Sequence, residues 1–310
     1  MTEKKTEHNY RFLNNEIVRL VEKLKSVSIP GFDKVPIYDV FMFFFEGLRK
    51  GSLNMRATAI AFNFMLALGP ALIFFLALLP YLPLGNIQGL LGDFLNGIIP
   101  ANSYLAIEPV INEIFTRRSG VPIFGLLASL FFAQKGIHGI IEAFNATHHT
   151  LESRSWYRQR LVSVILVFIF LGIAAISSMF FLFSKDLVAS ISIASNITIN
   201  PFVYSSGKWV FIVLLTFFII SFLYYLGPSR RVGWKFFSAG STLATFLTII
   251  ASLGFSYFMD HFAQLNKFFG SIGALVALML WMNFNAISLL IGFELNASIN
   301  NAHIKTNDEY

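Results

Sequence analysis

Four polar side chains lie at regular intervals in one otherwise apolar stretch: Lys135, His138, Glu142 and Asn145, separated by three, four and three residues. On a helix that turns about 100° per residue they share one face. An ammonium, an imidazole, a carboxylate and an amide on one stripe could hold an anionic headgroup, bind an ion or relay a proton through the histidine. The same pitch also lets His138 pair with Lys135 and with Glu142 in a self-satisfied internal network, so a structural role stands beside the functional one. Asn63, Asn283 and Glu294 also sit in apolar surroundings. A charge at a bilayer centre costs about 2.5–3.5 kcal/mol on insertion scales, which makes such residues candidate substrate-binding positions. Glu294 falls near the end of its apolar run, where water could solvate it.

Signatures of bond-breaking chemistry are missing. The sequence has no phosphate-cradling GxxxxGK[ST], no HExxH and no aspartate-rich magnesium pair. His148 and His149 are adjacent, and neighbouring residues do not face each other on a helix. An intramembrane enzyme would need convergent acidic or histidine groups, and only His138 with Glu142 approaches that. The expectation is a non-enzyme with no catalytic residues, cofactor or metal.

The composition says what must carry these residues. The chain has 310 residues, 55% hydrophobic and 13% charged, with 36 phenylalanines and no cysteine. Soluble domains carry about 25% charged residues, so a disordered chain, a collagen-like one and a typical cytosolic enzyme are all excluded. The expected class is an all-α, polytopic membrane protein with six transmembrane helices and N-terminal amphipathic or interfacial helices. Each span needs about 20 mostly apolar residues. Six runs meet this: Ala57 to Leu79, Val121 to Asn145, Leu161 to Phe183, Trp209 to Gly227, Phe236 to Phe258 and Gly270 to Gly292. Residues 1–55 then form a cytoplasmic amphipathic segment, 56–300 the six-span membrane domain and 301–310 a cytoplasmic tail. Amphipathic helices are predicted over 11–25 and 37–50; they could gate the bundle or only anchor it. No short apolar leader with a small-residue cleavage site follows Met1 to Lys5, so no cleaved signal peptide is expected.

Most of the 23 lysines and arginines fall in 1–56, after the second and fourth runs, and in the tail, whereas Arg117, Arg118, Lys185, Lys208 and Lys267 fall on the other side. Positive residues accumulate in short cytoplasmic loops, so both termini are expected in the cytoplasm. The net charge of +6 is then a rim facing anionic headgroups, with no nucleic-acid partner. The longest outer loop, 80–120, contains Pro100 and Pro109 and could fold into a hairpin or re-entrant piece. Asn196-Ile197-Thr198 has the form of a glycosylation triplet.

Packing signals complete the picture. Pro70 should kink the first span, and Gly69 should let another helix approach closely. Gly270, Gly273 and Gly292 suit helix packing. In the last span Asn283 and Glu294 share one face, and Asn285, Ser288, Gly292 and Asn296 line roughly the opposite one. A helix polar on two sides cannot face lipid on either, so this span should be central.

Several segments resemble the YihY/BrkB family of bacterial inner-membrane proteins, formerly labelled ribonuclease BN-like. They are "RATAIAFNFMLALGP" from Arg56 to Pro70, Asn145 followed by Glu152 and Arg154, "YLGPSR" from Tyr225 to Arg230, "FGSIGALVALMLW" from Phe269 to Trp281, and "GFELNA" from Gly292 to Ala297. The likeness runs from about residue 40 to 300. Asn63 and Gly69 stand where the family more often has aromatics, and Phe269 where it has tyrosine. The resemblance implies a six-helix fold in the bacterial inner membrane. Members variously carry labels of transfer-RNA-processing ribonuclease, virulence or serum-resistance factor, and lipid or lipopolysaccharide transport. The ribonuclease label fits this chain poorly, since no carboxylate cluster or histidine pair for phosphodiester cleavage appears.

The leading expectation is transport or handling of lipids or another anionic amphiphile. The polar cavity would be lined by Lys135, His138, Glu142, Asn145, Asn63 and Asn283, with Lys135 meeting a phosphate and aromatic walls accepting acyl chains. The alternative is a membrane scaffold that holds envelope proteins through the 80–120 loop.

Overall fold

A computed structural model describes residues 28, 35–78, 89, 123–146, 155–195, 200–229, 235–261 and 271–308, and the elements it contains there are helices. They are α1 (Ile37–Lys50), α2 (Leu53–Leu78), α3 (Ile123–Asn145), α4 (Trp156–Ser195), α5 (Pro201–Leu226), α6 (Ala239–His261) and α7 (Ser271–Asp308). Four of these are long and apolar enough to cross a bilayer: Trp156–Phe180 in α4, Ser205–Leu226 in α5, Ala239–Met259 in α6 and Leu275–Ile304 in α7. Over the described residues the chain is therefore all-helical, with four helices of a length and composition suited to a membrane. The amphipathic stretch 11–25, the outer loop 80–120 apart from Gly89, His148-His149, the 196–198 triplet and Gly270 lie outside the described residues, as do the surroundings of Gly273.

Helix ends follow local chemistry more closely than hydropathy. The fifth apolar run begins at Phe236, but α6 begins at Ala239. There Ser238 Oγ accepts from the Ser241 amide at 3.1 Å, and Ser241 Oγ accepts from the Ser238 amide at 3.1 Å, a reciprocal cap. Asn200 caps α5 by accepting from the Phe202 amide at 2.9 Å, ahead of Pro201 in the first turn. The last helix continues past Gly292 to Asp308, so a boundary at 300 falls inside a helix. Its extension has a packing reason: Ile299 and Ala302 join Val35 and Val40 in a small apolar cluster that seats α1 on α7. Pro70 lies inside α2, which stays helical on both sides of it.

Helix α7 is central, as its two polar faces require. On one face Asn283 donates to Thr58 Oγ1 of α2 at 3.2 Å, and on another Gly292 meets α6. A Cβ at Gly292 would lie 2.5 Å from the Gly240 carbonyl oxygen and 2.6 Å from Ala244 Cβ, so only glycine permits this crossing. Gly69 does not play the corresponding part in α2, because a Cβ there meets nothing within 4 Å. The close approach of α2 occurs against α3 instead. A Cβ on Gly136 would fall 2.8 Å from Ala67 Cβ, and one on Gly139 would fall 2.6 Å from Asn63 Nδ2.

An aromatic cluster ties α3, α5 and α7 together. Phe144 and Phe293 stack with centroids 4.3 Å apart, and Tyr224 sets its edge against both at 5.6 and 5.9 Å. The Tyr224 hydroxyl donates to the Leu289 carbonyl at 2.5 Å, so a phenol fully buried among hydrocarbon keeps a partner.

Candidate functional site

The turn between α1 and α2 positions the most deeply buried charge cluster. Ser52 adopts φ 46°, a left-handed conformation that reverses the chain, so that α2 starts at Leu53. Gly51 precedes it with an ordinary φ of −78°, and its glycine is required by space. A Cβ there would lie 2.5 Å from the Gly47 carbonyl oxygen and 3.1 Å from Arg56 Nη1. One turn into α2, Arg56 reaches three elements at once. Its Nη1 donates to Glu294 Oε1 at 2.8 Å and to the Gly51 carbonyl at 3.1 Å, and its Nε donates to the Ala143 carbonyl at 2.9 Å near the end of α3. Arg56 is 8% exposed and Glu294 is fully buried.

Two charged residues are more enclosed than their places in the sequence suggest. Arg56, counted in sequence with the basic residues of 1–56, is inside the bundle, where the ends of α1 and α3 and the body of α7 close over it. Glu294 is fully buried, because the continuation of α7 and its contact with α1 cover that end of the helix. Arg56 opened one of the segments that carry the family resemblance, yet sequence reasoning gave it no role of its own. The usable signal was a lone arginine at the edge of a charge-free run, with a lone carboxylate in the last span to neutralise it.

The other singled-out polar residues divide among separate contacts. Asn145 accepts from the Ser229 amide at 3.1 Å, linking the end of α3 to the segment after α5. Asn63 packs on Gly139, and Asn283 is bonded to Thr58. On the α3 stripe, His138 Nε2 lies 3.2 Å from Glu142 Oε1, whereas Lys135 joins neither and lies with its Nζ 5.5 Å from the centre of the Phe131 ring. Lys135 and Glu142 are exposed on the outer face of α3, and His138 is largely covered. Asn296, which the sequence only placed on a helix face, accepts from the Gly240 amide at 2.8 Å and donates to Ser238 Oγ at 2.9 Å, reinforcing the cap of α6.

A half-open apolar cleft runs along the bundle. A cavity of about 370 Å³ lies between α2, α3 and α4, with Phe64, Ala71, Phe74, Ile137, Phe170 and Leu171 in its wall. Ser178 brings a hydroxyl to this wall, and that hydroxyl is turned back onto the Ala174 carbonyl at 2.8 Å. None of the seven polar candidates lines this cavity. Among the described residues the seven are held in separate contacts: glycines of α3 bring it against α2 at Asn63, Asn283 bonds Thr58 of α2, Asn145 bonds the Ser229 amide and Glu294 pairs with Arg56. Among the described residues no three histidine, aspartate or glutamate side chains gather as a metal site.

Comparison with known proteins gives a consistent result. A family model described as Virulence factor BrkB matches residues 44–309. A ribonuclease-like protein, YfkH, of Bacillus subtilis is 28% identical over 250 residues, covering 78% of this chain and 88% of the relative. A UPF0761 membrane protein of Haemophilus influenzae is 20% identical over 83% of this chain and 94% of its own length, and one of Histophilus somni is 22% identical over 83% and 88%. No solved structure matches the chain.

Proposed function

The chain belongs to the BrkB virulence-factor family of membrane proteins, and from that premise we propose that it handles lipids or another anionic amphiphile within the bilayer, without bond-breaking chemistry of its own. The observation that carries this reading is the apolar cavity between α2, α3 and α4. Its volume of about 370 Å³ lies in the range of small-molecule pockets, and its wall of phenylalanine, leucine, isoleucine and alanine suits an acyl chain better than a polar solute.

The finer architecture belongs to the same proposal. At 1.5 Å per residue the 26 residues of α2 and the 23 of α3 measure about 39 and 35 Å, enough to cross a core of about 30 Å. With the four apolar helices they make six spans. Helix α1 exposes Phe41, Met42 and Phe45 and ends in Arg49 and Lys50, a pattern suited to the headgroup layer. The distribution of basic residues favours both termini in the cytoplasm of a bacterial cell, with the bundle in the inner membrane. A ribonuclease activity finds no support in the side chains. Among the described residues the one acid–histidine contact is His138 with Glu142, whose carboxylate is exposed on the outer face of α3.

Reconstitution of the full chain in vesicles that carry a fluorescent phospholipid in both leaflets tests the reading. Faster loss of inner-leaflet fluorescence to a membrane-impermeant quencher than in protein-free vesicles is the expected result. Equal rates across a range of lipid headgroups would overturn it.

A further inference from the structure

We propose that Lys135 of α3 and Arg160 of α4 form a lipid-facing site for the phosphodiester headgroup of an anionic phospholipid. This deepens the lipid-handling reading by naming a headgroup class and adding a second helix to the site. The observation is a convergence of like charge. Lys135 Nζ lies 5.5 Å from the centre of the Phe131 ring, and the Arg160 guanidinium carbon lies 5.4 Å from the same centre. Among the described residues neither cation is bonded to a carboxylate: Glu142 is engaged with His138, and Glu294 with Arg56. Arg160 Nε is buried, and among the described residues it has no hydrogen-bond partner.

Two cations that share one aromatic ring repel each other, and the repulsion grows as water is withdrawn. The attraction of the ring face for each cation offsets only part of this. The surroundings define what else must enter. Phe131 is 42% exposed on the outer face of α3, beside Leu127 and Phe132, and Trp156 stands 65% exposed with the Arg160 guanidinium 4.4 Å from its ring centre. The cations thus sit in an apolar, outward-facing setting, where a mobile aqueous counterion is poorly held and a molecule with both a phosphate and hydrocarbon is held well. Arginine supplies a forked donor for phosphate oxygens and lysine a point charge. Tryptophan at the rim suits the headgroup boundary. This site is on the face of α3 opposite Ala133, Gly136 and Ile137, which line the cavity, so the two features are separable by mutation.

The test uses the full chain reconstituted in vesicles of mixed phosphatidylglycerol and phosphatidylcholine, released into mild detergent, with the retained lipid measured. Wild type is expected to retain phosphatidylglycerol well above its share of the vesicle. A cation near an anionic lipid surface is worth about fivefold in affinity, so the Lys135→Gln, Arg160→Gln double variant should return to the bulk ratio while Arg158→Gln and Lys135→Arg keep the enrichment. Retention at the bulk ratio in wild type, or unchanged enrichment in the double variant, would overturn the site. Displacement of the enriched lipid by inorganic phosphate would overturn the commitment to a lipid and assign the pair to a free anion. Enrichment in a protein that moves no lipid between leaflets would support this site while sinking the function proposed above. Lipid movement without enrichment would do the reverse.

Discussion

Arg56 and Glu294, 238 residues apart in the chain, meet at 2.8 Å with both side chains buried. The contact joins the start of α2 to the body of α7, and through the Ala143 and Gly51 carbonyls it also holds the ends of α3 and α1. Removing one partner of such a pair leaves the other charged, buried and uncompensated, a loss of about 3–5 kcal/mol. Arg56→Ala and Glu294→Ala should each lower stability by roughly that amount, while Arg56→Met combined with Glu294→Leu should cost less than either. Denaturation in detergent of these variants and of the Arg56→Ala, Glu294→Ala double, followed by helical signal, completes the cycle. Additive losses would mean that the two side chains are not coupled.

Two glycines that look alike in sequence should respond in opposite directions. Gly292→Ala drives a Cβ to 2.5 Å from a backbone oxygen of α6, so the helices must separate, at a cost of about 1–3 kcal/mol. Gly69→Ala meets open space and gains helix propensity, so it should be neutral or stabilising by about 0.5–1 kcal/mol. Melting temperatures of the two variants in the same detergent decide the matter, and equal effects would refute the packing described for α6 and α7.

The cavity predicts a loss of function without a loss of fold. Ala174 lines it and is partly buried. Ala174→Phe should fill much of the space and slow lipid redistribution between leaflets several-fold, with a melting temperature at or above that of wild type. Unchanged lipid movement in a folded Ala174→Phe protein would count against the cavity as the acyl-chain site.

Asn296 is expected to matter for stability more than for activity. Asn296→Ala removes the acceptor for the Gly240 amide and the donor to Ser238 Oγ. Loss of a cap costs about 0.5–2 kcal/mol, and hydrogen exchange at the first turn of α6 should accelerate before the rest of the helix. Exchange that rises uniformly along α6 would contradict a local capping role.

The composition and the spacing of apolar runs were enough to establish a helical membrane protein, and the two-sided polarity of α7 was enough to make it central, because lipid cannot solvate an amide and an aromatic bundle leaves few places to hide one. Family membership was also legible, carried by short segments such as "GFELNA" whose residues turn out to pack or pair: Gly292 at the α6 crossing, Phe293 in the aromatic stack, Glu294 with Arg56 and Asn296 on the α6 cap. Which polar residues meet was decided only in three dimensions. Helical periodicity assigns each side chain to a face of its own helix, but a contact such as Arg56 with Glu294 depends on the rotation and depth of two helices far apart in sequence. Those are set by where glycines let backbones touch. Gly136 and Gly139 bring α2 against α3, Gly292 brings α6 against α7, and the remaining outer face of α3 is left to Lys135 and its ring-sharing neighbour Arg160.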